Sequence, residues 1–171
     1  MNIKILKVGY LEENCYILNI NNDYLVIDPG DEYTRIKQEI KGNLLGVLIT
    51  HYHFDHIGAL NNILNDYNPK LYDISNFEKE NIIGPFKFEM IKTPGHKEDC
   101  VSYLFDGILF SGDFIFENTI GRCDMPGGNY KQMQESIKYI LENYQELEIY
   151  PGHGNKTYLS EEIPQLKNTI I

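Results

Sequence analysis

Short apolar runs, broken at close intervals by turn-forming residues, set the outline of this chain. Cys15-Tyr16-Ile17-Leu18-Asn19-Ile20 and Tyr24-Leu25-Val26-Ile27 flank Asn21-Asn22-Asp23, residue types that tolerate positive φ, and the pattern predicts a β-hairpin. Asp28-Pro29-Gly30 ends its second strand, and Thr34 to Lys41 predicts a helix with Gly42 placed to terminate it. Leu44-Leu45-Gly46-Val47-Leu48-Ile49 is short and apolar enough to read as a buried strand running up to Thr50. Ile57, Leu60, Ile63 and Leu64 then recur at helical spacing until Asn68-Pro69 stops the pattern, which places Asp55 and His56 at a helix start. A short strand from Leu71 to Ile74 and an alternating run with Phe86, Phe88 and Met90 on one face follow, and the latter leads into Thr93-Pro94-Gly95-His96.

The register of the next pair of strands can be derived. Val101 to Phe105 and Ile108 to Phe110 bracket Asp106-Gly107, a strong signal for a two-residue hairpin turn. Pairing Phe105 with Ile108 sets Cys100 opposite Asp113, so Asp113 emerges at the same end of the hairpin as His96. Tyr130 to Tyr144 predicts a helix with Met133, Ile137, Ile140, Leu141 and Tyr144 on one face. Glu148 to Tyr150 reads as a strand ending in Pro151-Gly152-His153-Gly154, and the tail predicts a further helix from about Ser160, with Ser160 as its cap.

Composition narrows the functional classes. A length of 171 residues suits one domain spanning residues 1–171. Lys and Arg number 15 against 25 Asp and Glu, a net charge of −10, which argues against nucleic acid as a partner because phosphate binding depends on clustered cations. Part of that charge would be neutralised if some carboxylates held cations. Lys7, Glu12 and Glu13 interrupt every leader-like stretch between Met1 and Ile20, and no run approaches the roughly 20 apolar residues of a membrane span. Cys15, Cys100 and Cys123 are odd in number and far apart, a usage that fits reduced thiols. The expectation is a cytoplasmic protein without a membrane partner, a monomer or small homo-oligomer.

The chemistry concentrates in Thr50-His51-Tyr52-His53-Phe54-Asp55-His56-Ile57-Gly58, where three imidazoles and a carboxylate fall within six residues. In extended chain His51 and His53 project to the same side about 6–7 Å apart, close enough to grip one ion. Asp55 lies about 13 Å from His51 if the chain stays extended, so the chain must turn after His53. Such a turn sends Asp55 and His56 towards a second position, and dinuclear hydrolytic sites hold their ions roughly 3.5–4 Å apart. A structural zinc site would more naturally recruit paired cysteines. All five histidines, His51, His53, His56, His96 and His153, fall in loops that follow or connect predicted strands. Asp28, Cys15 and Cys123 read as structural or supporting residues.

The ordered set His51-x-His53-x-Asp55-His56, then His96, then Asp113 in Ser111-Gly112-Asp113, then His153 resembles the metallo-β-lactamase superfamily over nearly the whole chain. Thr93-Pro94-Gly95-His96, Gly112-Asp113-Phe114-Ile115-Phe116, Gly121 to Gly128 and Pro151-Gly152-His153-Gly154 are similar to the short, single-domain glyoxalase II-like hydrolases. The resemblance implies an α/β fold, a four-layer αββα sandwich with a dinuclear site at one edge of its two sheets. It implies that His51, His53 and His96 hold the first ion and Asp55, His56 and His153 the second, with Asp113 bridging. Imidazole and carboxylate donors suit two zinc ions, with iron and manganese fitting similar sites. Asp55 is the catalytic candidate, orienting the nucleophile and moving its proton, and the expected substrate is a small 2-hydroxyacyl thioester of lactoyl type. Arg122 and Lys97 are candidate substrate contacts; Arg122 would either meet a substrate carboxylate or pin its own loop to Asp124.

Two departures bear on specificity. Lys97-Glu98-Asp99 follows His96 where relatives usually carry Thr and Gly, so the rim bears unusual charges. Full-length glyoxalase II has a C-terminal helical domain that helps to hold glutathione, whereas 18 residues follow His153 here, so only modest glutathione preference is expected. The rival readings are a mononuclear iron persulfide dioxygenase of the same superfamily, which Cys100-Val101 somewhat resembles, and a metal-binding protein without catalysis.

Overall fold

The computed structural model describes residues 1–170. Two antiparallel strands, β1 (Asn2–Val8) and β2 (Glu13–Ile20), lead into β3 (Asp23–Ile27), β4 (Asn43–Leu48) and β5 (Lys70–Tyr72), which join them as a five-stranded sheet in that order. The second sheet has six strands, β6 (Glu80–Ile83), β7 (Phe86–Lys92), β8 (Val101–Phe105), β9 (Ile108–Gly112), β12 (Glu148–Pro151) and β13 (Thr157–Tyr158), in the order β13-β12-β9-β8-β7-β6. A small ribbon of β10 (Ile115–Phe116) and β11 (Thr119–Ile120) stands apart. The helices are α1 (Tyr33–Glu39), α2 (Phe54–Ile57), α3 (Leu60–Tyr67), α4 (Tyr130–Asn143) and α5 (Leu159–Thr169).

Strand alternation sorts the apolar side chains into three layers of core. Tyr16, Leu18, Leu25, Ile27 and Leu48 face inward and meet Phe88, Met90, Tyr103 and Phe110 of the other sheet. Their outward neighbours Ile17, Val26, Val47 and Ile49 pack on Ile36 of α1 and Ile63 of α3. On the far side Ile91, Leu104, Leu109 and Ile149 pack on Met133, Ile137 and Ile140 of α4 and Leu166 of α5. This is the expected αββα sandwich. Tyr103 staples the sheets together: its buried hydroxyl oxygen lies 2.8 Å from the carbonyl oxygens of both Ile49 and Tyr72, which share its one proton.

Both expected hairpins form: Phe105 pairs with Ile108 as derived, while in the first hairpin Ile20 pairs with Asp23, so the turn is Asn21-Asn22 and Asp23 already belongs to β3. Several boundaries differ, each for a local reason. The first helix stops at Glu39 and Ile40 turns extended with ψ 101°, so Gly42 does not terminate it. Gly42 instead lets the chain pass the first hairpin, where a Cβ would lie 2.1 Å from the Asn22 carbonyl oxygen. The helix expected after the histidine motif is broken into α2 and α3. There the Ala59 N–H donates to the Pro29 carbonyl at 2.9 Å, and Gly58 sits so close to Gly30 that a Cβ would come within 2.2 Å of its oxygen. Past Tyr72, Asp73 caps a 3-10 turn over Ile74–Asn76 instead of extending the strand. The last helix begins at Leu159 and its N-cap is Tyr158 without a side-chain bond, so Ser160 is not the cap.

Candidate metal centre

Four loops at strand ends converge on one rim of the sandwich. β4 ends at Leu48 and delivers His51 and His53, the latter as N-cap of the single-turn α2 that carries Asp55 and His56. His96 follows β7, Asp113 follows β9, and His153 follows β12. Val101 N donates to the Thr50 carbonyl at 2.9 Å, tying the two sheets together beside the motif. The derived hairpin register has the expected consequence, since His96 Nε2 and Asp113 Oδ2 lie 3.5 Å apart.

Hydrogen bonding fixes which ring nitrogen each imidazole turns inward, with tautomers inferred from the network. The Thr50 hydroxyl gives its one proton to Asp28 Oδ2 at 2.6 Å, so at 3.1 Å it accepts from His51 Nδ1. His56 Nδ1 donates to Asp28 Oδ2 at 2.9 Å, His96 Nδ1 to the Arg122 carbonyl at 2.8 Å, and His153 Nδ1 to the Leu11 carbonyl at 3.1 Å. Each of these four rings, when neutral, is left with a lone pair on Nε2. The lone pairs of His51 and His96 both meet His53 Nδ1, at 3.0 and 2.9 Å. One imidazole N–H can satisfy at most one of them.

The second cluster poses the same problem. His56 Nε2 has no hydrogen-bond partner and lies 3.4 Å from Asp113 Oδ1 and 3.7 Å from Asp55 Oδ2. His153 Nε2 faces Asp55 Oδ2 at 3.1 Å. Lone pairs aimed at lone pairs and at carboxylates are costly in a buried site unless a cation lies between them. Groups whose donor atoms lie within 4.8 Å of one another, as metal binding requires, are His51, His53 and His96; His51, His56 and Asp113; Asp55, His56 and His153; and, behind the Nδ1 side of His56, Glu13, Asp28 and His56. The donor set therefore fits two cations, one against each triad, with Asp113 facing both.

Protonation without metal divides the imidazoles. Burial and the neighbouring His56 and His96 charges push His51 well down, and burial with His96 and Lys97 pushes His53 down. At His56 burial acts downward too, but Asp28 and Asp113 outweigh it and carry the ring well above the usual range. At His153 burial is likewise outweighed, by the Asp55 hydrogen bond and Asp113. For Asp113 burial acts upward, and the adjacent His56, with His153 and His96, brings it below the ordinary carboxylate range.

The remaining candidates sit around this centre. The Arg122 guanidinium takes the second of its two anticipated arrangements, donating to both Asp124 oxygens at 2.7 and 2.9 Å in solvent, while its carbonyl orients His96. Lys97 Nζ donates to Asp99 Oδ2 at 2.6 Å, and the same oxygen accepts from Tyr52 N at 3.2 Å. Asp28 has the supporting place expected of it: it accepts from Thr50 N, the Thr50 hydroxyl and His56. Cys15 and Cys100 are buried and, with Cys123, free of disulfides.

Glu13 was not anticipated. It is fully buried behind His56, with Oε1 3.8 Å from Nδ1, and burial pushes its carboxyl well up, a shift that His56 opposes. The sequence signal was alternation: Glu13 shares the parity of Cys15 and Ile17, which face the buried layer under the helices.

Two grooves flank the imidazoles. One of about 300 Å³ is walled by Tyr10, Leu11 and Phe54 beside Asp55, and one of about 340 Å³ lies along Phe116, Glu117 and Asn155 beside His153. A larger cavity of about 420 Å³, lined by Phe77, Met90 and Tyr139 among others, includes none of the metal-site residues. No helix among the described residues is long and apolar enough to cross a membrane.

The metallo-beta-lactamase superfamily pattern matches residues 8–82 and 69–153. The chain is 31% identical over 194 residues to "Probable metallo-hydrolase YqgX" of Bacillus subtilis, covering 92% of each. It is 27% identical to "Hydroxyacylglutathione hydrolase GloC" of Haemophilus influenzae, covering 95% of each. Among solved structures, "TTHA1623 in a di-iron-bound form" superposes with a TM-score of 0.83 at 26% identity, over 94% of this chain and 96% of that one. With the αββα layers and the convergent donors, these matches show that the chain belongs to the metallo-beta-lactamase superfamily.

Proposed function

We propose that the protein is a dinuclear metal hydrolase of small acyl thioesters, of glyoxalase II type. The observation that carries the reading is that four imidazoles have Nδ1 committed to a protein acceptor, so that their Nε2 lone pairs converge with His53, Asp55 and Asp113. His51, His53 and His96 form the first position, Asp55, His56 and His153 the second, and Asp113 faces both. Zinc fits these donors best, and the di-iron form of the similar TTHA1623 makes iron the next choice. A bound pair of cations supplies Lewis acidity and a water that ionises near neutral pH.

The chain's own residues then divide the work. Asp55, 14% exposed at the mouth of the site, orients the attacking water and takes up its proton. Tyr10 and Phe54, exposed by 98% and 76%, form an apolar wall for the acyl group, and Lys97 offers a cation at the rim. A thiolate leaves with little need of protonation, which suits a site with no free acid beside the donors. The likeness to GloC supports the 2-hydroxyacyl class. The test is thiol release from lactoyl thioesters of glutathione, coenzyme A and a minimal thiol by the di-zinc protein, beside oxygen uptake with glutathione persulfide by the iron form. Hydrolysis of at least one thioester is expected, with only modest preference for glutathione. No thiol release from any of the three, together with oxygen consumption, would replace the hydrolase reading by the dioxygenase one.

Acidification should empty the two positions in order. His56 and His153 titrate above the usual imidazole range and His51 and His53 below it, so protons compete for the second position at higher pH. Metal content after dialysis at stepped pH is expected to fall from two equivalents to one before it falls to none. Loss of both together, or retention of the second position to lower pH than the first, would contradict this assignment.

A further inference from the structure

We propose that Glu13 is a positioning residue for the second cation, its buried carboxylate acting on that position through His56. This rests on the two-cation reading. Glu13 opens β2 with its side chain fully buried, and neither of its carboxyl oxygens has a hydrogen-bond partner. Gly30 packs against it so tightly that a Cβ there would lie 2.5 Å from Oε2 and 1.9 Å from the Asp55 carbonyl oxygen. The side chain is thus held in a slot between His56 and the backbone that carries Asp55.

A buried carboxylate without a partner is costly, and no N–H or O–H of the protein is hydrogen-bonded to either Glu13 oxygen. An apolar residue would fill the slot at lower cost. What would offset the charge is a cation held by neutral His56, whose Nε2 faces the second position at 3.4 Å from Asp113 Oδ1. His56 therefore has two carboxyl groups behind Nδ1: Asp28, hydrogen-bonded at 2.9 Å, and Glu13 at 3.8 Å. Their combined field makes Nε2 a stronger donor to a cation than Asp28 alone would.

The next residue extends the bracket. Asn14 N donates to the Gly152 carbonyl at 2.7 Å, and Asn14 Nδ2 donates to those of Pro151 and Gly154 at 3.0 Å each. One dipeptide at the start of β2 thus supports His56 through a charge and the His153 loop through its backbone.

Glu13→Gln keeps the shape and removes the charge, and Glu13→Met removes the polarity as well. Metal-free parent and variants are titrated with zinc against a chromophoric chelator, and their unfolding midpoints are measured without metal. The expected result is a second equivalent weakened by about 10–100-fold, an unchanged first equivalent, and metal-free midpoints equal to or above the parent's. Unchanged second-site affinity in both variants overturns the role of Glu13, as does a lowered metal-free midpoint in both, which would make it a folding residue. Fewer than two equivalents bound by the parent overturns the two-cation reading and this inference with it.

Discussion

Stripping both cations with a chelator is expected to abolish thioester hydrolysis and to lower the unfolding midpoint by roughly 15 °C or more, with both restored by zinc. Each cation present at a thousand times its Kd adds about 4 kcal/mol to folding, and a chain of this size shifts by about 2–4 °C per kcal/mol. The direction follows from what metal removal leaves behind. Three imidazole nitrogens face one another at 2.9–3.0 Å, and His153 Nε2 faces Asp55 Oδ2 at 3.1 Å. The three apolar layers lie away from this rim, so the metal-free protein should remain folded, and protonation of His56 and His153 should recover part of the lost stability. Thermal scans and thiol release on the same chelated and reconstituted samples check both parts. An unchanged midpoint in protein shown to be metal-free would mean that the cluster is not a cation site.

Asp55→Asn should lower turnover by about 10²–10³-fold at equal metal content while changing KM little, because proton transfer to a positioned base is made in the transition state. The geometry adds a second effect. Asp55 Oδ2 lies 3.1 Å from His153 Nε2, and an amide can turn an N–H towards that lone pair. This internal bond competes with the cation, so the variant should also need more metal to fill its second position. Rates must therefore be compared after saturation, with occupancy measured on the assayed sample. Near-normal turnover in fully loaded Asp55→Asn would remove Asp55 from the catalytic step and leave it a ligand only.

Much of the site could be read from sequence because its chemistry is local. His51, His53, Asp55 and His56 are spaced so that a strand end and one helical turn must divide them between two positions, and the structure makes that division at His53. Asp106-Gly107 fixes a hairpin register, which sets Asp113 at the end of the hairpin where the His96 loop enters, and the two side chains lie 3.5 Å apart. The central strands were equally legible, since Leu25, Val26 and Ile27 or Val47, Leu48 and Ile49 are apolar on both faces and each face meets its own layer.

What the sequence could not supply depends on partners distant along the chain. Of the five overlooked strands, β1, β6 and β13 are edges of the large sheets and β10 and β11 pair only with each other, so each is paired on one side only, its side chains carry a weak pattern and a neighbouring strand decides that it is a strand at all. The break between α2 and α3 arises because Pro29 takes the Ala59 N–H, and helical periodicity runs straight through it. Arg122 orients His96 through a carbonyl that every residue type possesses. Glu13 has an ordinary side chain at an ordinary strand start, and it became part of the centre when the fold buried it 3.8 Å from His56. Residue types and their spacing determined which atoms could bind a cation. Only the packing of the two sheets determined which lone pairs are already committed, which face inward, and which charges stand behind them, because those depend on contacts between segments that no local pattern connects.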